Sequence, residues 1–231
     1  MKRWFYLSIS VNVFLIVLFY AFVQRLGGLN YLINKIEEPA TAVYQNRTNQ
    51  FALLNVSEGN ILFVGSSLTQ YGNWNELFNS KCLNRGIGGD DSYGVLNRVE
   101  DLIRNKPSKI FIMIGINDLG RGASIDQILS NYREIIKKVK DGSPKTKIYI
   151  QSVLPVNNTI RDQHRKNSDI LLLDAQIEKL SNETGLTYIN LYPLFTDSKG
   201  EMDLKLSADG IHINGAGYLI WKKAIQNYVN D

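Results

Sequence analysis

The chain has 231 residues, 44% of them hydrophobic, with 26 basic and 22 acidic side chains, two histidines and a single cysteine. That length allows one sizeable domain, and the composition suggests neither disorder nor a collagen-like repeat. No basic cluster interleaved with aromatics appears, so nucleic-acid binding has no support; Cys82 alone cannot form an intrachain disulfide, and with so few Cys and His neither a metal nor any other cofactor is expected.

The predicted elements begin with Trp4 to Val23, WFYLSISVNVFLIVLFYAFV, twenty residues without a charge. As a helix this run would span roughly 30 Å, the thickness of a bilayer core. A secretory signal has a shorter apolar region and a small-residue cleavage site, whereas this run ends in Tyr20-Ala21-Phe22-Val23-Gln24-Arg25. The expectation is an uncleaved, single-pass transmembrane anchor. Lys2 and Arg3 precede it, while Arg25 and Lys35 beyond it are offset by Glu37 and Glu38. The positive-inside rule therefore puts the short tail in the cytoplasm and the domain on the extracytoplasmic side of the cell membrane. Without the tail's two cations the formal charge falls from +4 to near +2.

Residues 26–59 read as a membrane-proximal linker and a helix, with Tyr44, Phe51 and Leu54 at helical spacing. From 60 to 231 the pattern alternates. Strand candidates fall at Ile61 to Val64, Lys81 to Asn84, Ile110 to Gly115, Ile148 to Val153 and Thr187 to Leu191. Between and after them, Tyr93 to Asn105, Ser124 to Lys140, Asp169 to Thr184 and Ala216 to Tyr228 place apolar residues three and four apart. Such alternation predicts an α/β fold, a parallel sheet covered on both faces with right-handed crossovers. Cys82 reads as a small packed residue in the second strand. Four Asn-X-Ser/Thr triplets, at Asn46, Asn55, Asn157 and Asn182, are what an asparagine-rich chain produces by chance and receive no function.

Ligands of parallel sheets bind beyond the carboxyl ends of the strands. Strand one runs there into Gly65-Ser66-Ser67, where either serine could be a nucleophile or a small turn residue. Strand two runs into NRGIGGD, residues 84–90, and strand three into GIND, residues 115–118. The loop before the last helix holds DGIH, residues 209–212. Each block alone is weak, since glycine-rich loops and Asn-Asp turns are common and a lone histidine is most often structural. His164, in the polar stretch Arg161 to Lys166, reads as solvated.

Together, GSSLT, NRGIGGD, GIND and DGIH resemble the SGNH hydrolases, the GDSL esterase and lipase family, over roughly residues 40–230. They are most similar to its lysophospholipase-like and platelet-activating-factor-acetylhydrolase-like branch. The resemblance implies a flavodoxin-like, three-layer α/β/α sandwich with a five-stranded parallel sheet. It also implies Ser67 as nucleophile, Asp209 and His212 as acid and base, and Ser67, Gly89 and Asn117 as oxyanion-hole donors. One departure is Ser66, which stands where the family's first block carries aspartate. Because the acid beside the histidine is supplied by Asp209, this change need not remove the machinery.

Residue chemistry agrees. A serine hydroxyl needs a base within hydrogen-bond reach, and a histidine with its ordinary pKa near 6.5 can take that proton and return it to the leaving alcohol. The expected activity is cofactor-free hydrolysis of an acyl ester, acetyl or longer, carried by a lipid or a glycan. Two alternatives share the fold: an O-acyltransferase or O-acetylesterase acting on envelope glycans, and a catalytically silent binding module. With one segment long enough to span, a pore or transporter is not expected. Oligomeric state leaves no mark in the sequence.

Overall fold

The computed structural model describes residues 2–25, 42–54, 57–78 and 81–231. Met1–Val43 and Tyr44–Asp231 are two separate compact units. In the first, α1 (Lys2–Arg25) is a helix of 24 residues. Among the described residues no helix is long and apolar enough to cross a membrane, and the side chains of Phe5, Leu7 and Ile9 fall outside that set. The expected transmembrane segment therefore rests on the sequence alone. The expected linker at 26–41 lies outside the described residues.

Helix α2 covers residues 42–53, and the second unit begins within it at Tyr44. The strands and helices then alternate: β1 (Ile61–Gly65), α3 (Ser67–Gln70), α4 (Trp74–Phe78), β2 (Cys82–Gly86), α5 (Ser92–Asn97), α6 (Val99–Ile103), β3 (Lys109–Met113), α7 (Ile116–Gly120), α8 (Ile125–Gly142), β4 (Lys147–Gln151), α9 (Asn167–Thr184), β5 (Thr187–Ile189) and α10 (Gly215–Asn230). All strand pairs are parallel, in the order β2-β1-β3-β4-β5. The order reverses at β1, so the crevice between the carboxyl ends of β1 and β3 is the switch point where such sheets bind ligands.

Alternating side chains split each strand between two cores. Leu62, Val64, Ile110, Ile112, Ile148 and Ile150 face an aliphatic layer that includes Val95, Leu102, Ile128, Ile135, Leu173 and Ile177 of α5, α6, α8 and α9. Phe63, Phe111 and Tyr149 face the other way, toward Trp74 of α4 and Trp221 of α10. On this side Phe63 stacks on Trp74 at 4.1 Å and on Phe111 at 5.0 Å. Cys82 is buried in β2, in the same aromatic layer.

Several boundaries differ from the periodicity for identifiable reasons. The predicted helix Tyr93 to Asn105 is broken in two at Arg98, whose φ of −112° and ψ of 10° leave the helical region. Its side chain turns inward to a buried ion pair with Asp90 at 2.8 Å. Strand β2 continues through Gly86 because α3 lies directly over it: a Cβ there would sit 2.2 Å from the Gln70 nitrogen. Strand β3 ends at Met113, and the next residue, Ile114, finds its partner in a side chain, accepting from the Tyr132 hydroxyl at 2.9 Å. Strand β4 stops at Gln151, and two residues on the Val153 amide donates to the Asp174 carboxylate at 2.8 Å. Strand β5 ends two residues early, and the Leu191 and Tyr192 amides instead bond the Ser152 hydroxyl at 2.8 and 2.9 Å.

Candidate active site

The β1–α3 corner fixes the two serines differently. Gly65 is required there, since a Cβ would lie 2.3 Å from the Thr69 hydroxyl and 2.4 Å from the Met113 carbonyl. Ser66 occupies the N-cap position of α3, makes no side-chain capping bond and is only 3% exposed. Ser67, the first helical residue, stands partly exposed, with Oγ 2.9 Å from His212 Nε2. The short helix is held from its far end by Asn84, whose Nδ2 donates to the carbonyls of Thr69, Gln70 and Gly72. Trp74 Nε1 adds a bond to Thr69 O at 2.8 Å, and the Tyr218 hydroxyl ties Leu68 O to α10 at 2.7 Å.

The acid and base share one tight loop. Gly210 has φ +81°, a left-handed conformation that suits glycine, and a Cβ there would meet the Asn157 carbonyl at 2.5 Å. This turn lets the Asp209 Oδ1 accept from the amides of Ile211 at 3.0 Å and His212 at 2.8 Å. Oδ2 is left to face His212 Nδ1 at 2.6 Å. With a carboxylate accepting at Nδ1, that nitrogen carries the hydrogen and Nε2 is the acceptor facing Ser67. Partial burial pushes the Asp209 carboxyl upward, but the bonds from the His212 ring and the two amides outweigh it and hold the pKa near 2. The exposed Tyr71 ring lies 5.3 Å from the imidazole and forms a rim beside it.

The β2 and β3 loops meet across the switch point. Gly89 has φ +77°, and its carbonyl accepts from Arg121 Nη2 at 2.6 Å. Asn117, at the start of α7, is not folded onto its own turn: Nδ2 donates to the Asp90 carbonyl at 2.8 Å. One amide hydrogen of Asn117 is thus committed, and Nδ2 has no second acceptor among the described residues. The neighbouring Asp118 does separate work, accepting from the Ser92 amide at 3.0 Å within a buried network.

Periodicity and motif reading missed the brace behind these groups. Arg165, on the loop between β4 and α9, donates to Asn117 Oδ1 at 3.0 Å and to the Ile116 carbonyl at 2.8 Å. Gln163, two residues earlier, donates to the Asp209 carbonyl at 2.7 Å, and the Asn157 amide bonds Gly210 O at 2.8 Å. One loop therefore holds both the β3 donor and the acid–base turn. His164 between them points to solvent, 3.2 Å from Asp162. The sequence held no local signal for Arg165 or Gln163, because their partners lie 46 to 49 positions away. Among the described residues no group of three or more His, Cys, Asp or Glu side chains is placed to hold a metal.

A five-stranded flavodoxin-like sheet with serine, histidine and aspartate side chains in line at its switch point is the architecture of an SGNH hydrolase. The family model for GDSL-like lipases and acylhydrolases matches residues 63–220, and the chain belongs to that family of carboxylic ester hydrolases. Among curated relatives it is 26% identical over 171 residues to the platelet-activating factor acetylhydrolase IB subunit alpha1 of Bos taurus, covering 70% of this chain and 71% of the relative. Among solved structures it is similar to a Streptococcus pneumonia protein described provisionally as a platelet activating factor, with TM-score 0.81 and 26% identity over 87% of this chain and 99% of that one. The acetyl-xylooligosaccharide esterase Axe2 of Geobacillus shares the fold, with TM-score 0.62 and 20% identity over 77% and 96% of the two chains.

Proposed function

We propose that the protein is a membrane-anchored serine esterase that cleaves acetyl or other short acyl esters through an acyl-enzyme on Ser67. The observation that carries this reading is the unbroken line from the Ser67 hydroxyl through His212 to Asp209, with contacts of 2.9 and 2.6 Å. Ser67 Oγ attacks the ester carbonyl carbon while its proton passes to His212 Nε2. The oxyanion is held by the Ser67 amide, the Gly89 amide and the uncommitted Asn117 amide hydrogen. Asp209, ionised throughout, keeps the imidazole oriented and stabilises its cationic form. His212 then gives the proton to the departing alcohol, and water, activated by the same imidazole, releases the acid and restores Ser67.

A preference for short acyl groups is supported by the relative named as an acetylhydrolase. The anchor is supported by the charge-free run Trp4 to Val23, and the extracytoplasmic side by Lys2 and Arg3 before it. The same acyl-enzyme could pass its acyl group to a sugar hydroxyl instead of water, which defines the second reading.

The test is hydrolysis of p-nitrophenyl acetate, butyrate and octanoate by the full chain in neutral detergent, with an acetylated oligosaccharide and a free sugar acceptor in parallel. Rates falling from acetate to octanoate, with free acetate released, support the esterase. Acetyl transfer to the added sugar without net acetate favours the transferase. A folded protein inert toward every ester and acceptor would overturn both and leave a silent binding module.

A further inference from the structure

Arginine is almost never fully buried without an anionic partner. Away from Ser67, where α2 packs on β2 and α6, two such side chains lie close together. Arg85 is 7% exposed, and its one hydrogen bond runs to the Asn84 carbonyl at 2.9 Å; among the described residues it has no carboxylate. Arg98 gives Nε and Nη2 to Asp90 at 3.0 and 2.8 Å, but its Nη1 is buried and has no partner among the described residues. Phe51 lies beneath two guanidiniums, those of Arg47 at 4.6 Å and Arg85 at 4.7 Å, and Arg47 Nε is likewise buried, with no partner among the described residues. Both Arg85 and Arg98 line an open cleft whose enclosed space, about 20 Å³, fits one water-sized group. Ser57 and Arg104 add donors around it, the Thr48 hydroxyl being spent on the Tyr44 and Gln45 carbonyls at 2.9 and 3.0 Å, and Asp101 adds a carboxylate already 3.7 Å from Arg104.

We propose that this cleft is a binding site for a tetrahedral phosphate oxyanion, with one oxygen in the enclosed space beside Arg98 and the others on the open side toward Arg85, Ser57 and Arg104. A phosphate group matches the fork geometry of guanidinium donors and supplies the charge that four arginines set against two carboxylates lack. The electrostatics agree: burial, then the charges of Arg98 and Arg47, lower the Arg85 pKa to about 10. A bound anion would reverse that pressure. Free phosphate and the phosphomonoester head of an amphiphile offer the same chemistry. The site is separate from the proposed catalytic residues, so it stands or falls independently of the esterase reading.

The experiment is a thermal-unfolding titration of the full chain in neutral detergent at constant ionic strength, using inorganic phosphate in one arm and octyl phosphate, which has no carboxylic ester to cleave, in the other. Because a ligand that binds only the native state stabilises it, Tm should rise with phosphate and saturate, by several degrees. Saturation by octyl phosphate at a tenfold lower concentration or less identifies an amphiphile head group; equal concentrations identify the free anion. Arg85→Gln should abolish the shift and leave p-nitrophenyl acetate hydrolysis within about twofold, and Arg47→Gln, on the outer side of Phe51, should weaken it if Arg85→Gln fails to fold. No saturable rise in either arm, or an undiminished rise in both variants, would overturn the site.

Discussion

Asp209, in the loop before α10, and Asp174, on the inner face of α9, are the same side chain in opposite surroundings. Asp209 receives two amides and an imidazole, and its pKa is held near 2 although burial pushes it upward. Asp174 is 5% exposed and receives one amide; its Oδ2 is buried without a partner among the described residues, and burial drives its pKa up to about 8. The turn before α10 meets the Asp209 carboxylate with donors, and the inner face of α9 leaves Asp174 with one. The consequences for stability have opposite signs. Asp209, with its lowered pKa, contributes stability that is present above the unfolded value of about 4 and lost as pH falls toward 2. Asp174, with its raised pKa, contributes stability that is full below about 4 and lost as pH rises through 8.

The sharpest way to break this contrast is at the nucleophile. Ser67→Ala should cut kcat for p-nitrophenyl acetate on the order of 10⁴-fold, toward background, while Ser66→Ala, a change at a buried N-cap position, should retain most activity. Comparable losses in the two variants would mean that the corner, rather than one hydroxyl, matters. Next comes the carboxylate. Asp209→Asn preserves size but no longer favours the tautomer that leaves Nε2 free, and kcat should fall about 10²- to 10⁴-fold, with a modest fall in Tm at pH 7 as the carboxylate's contribution is lost.

The oxyanion side is expected to cost less. Asn117→Ala should lower kcat about 10²- to 10³-fold with KM nearly unchanged, corresponding to roughly 2.7 to 4 kcal/mol of lost transition-state stabilisation. Arg165→Ala, which frees Asn117 Oδ1 without touching substrate, should lower kcat about tenfold. Its effect should largely vanish in an Asn117→Ala background, since both changes act through one donor. Arg165→Lys, which keeps the charge but not the fork, should recover only part of the loss.

The smallest change in activity is predicted at the other pole of the comparison. Asp174→Asn removes a group that must ionise in a buried setting, so the Tm difference between variant and wild type should grow in the variant's favour from pH 5 to pH 9 while kcat barely moves. A constant difference across that range would show that Asp174 does not titrate there.

The sheet was legible because β1, β3 and β4 are short, largely apolar runs ending in glycine or a polar loop, and the helices between them carry a 3.6-residue period. The four polar blocks were legible because each is local: Asp209 and His212 need only three residues and a glycine to meet. What stayed hidden depends on distance. The break at Arg98 follows from an ion pair with Asp90 formed inside the fold, and nothing in the helical period of Tyr93 to Asn105 marks it. Arg165 looks like one cation in a polar loop until β3 and α9 bring Asn117 under it. Asp174 occupies a polar position on a helix pattern, and only the end of β4 explains why an aspartate is buried there.

The most direct test of the central claim is covalent trapping. The full chain is treated with an alkyl fluorophosphonate, which reacts with an activated serine, and the adduct is located by fragment mass spectrometry. The account predicts one equivalent of label on Ser67 Oγ, lost in Ser67→Ala and slowed strongly in Asp209→Asn. Label on Ser66 or on another residue, or a folded protein that takes none, would contradict it.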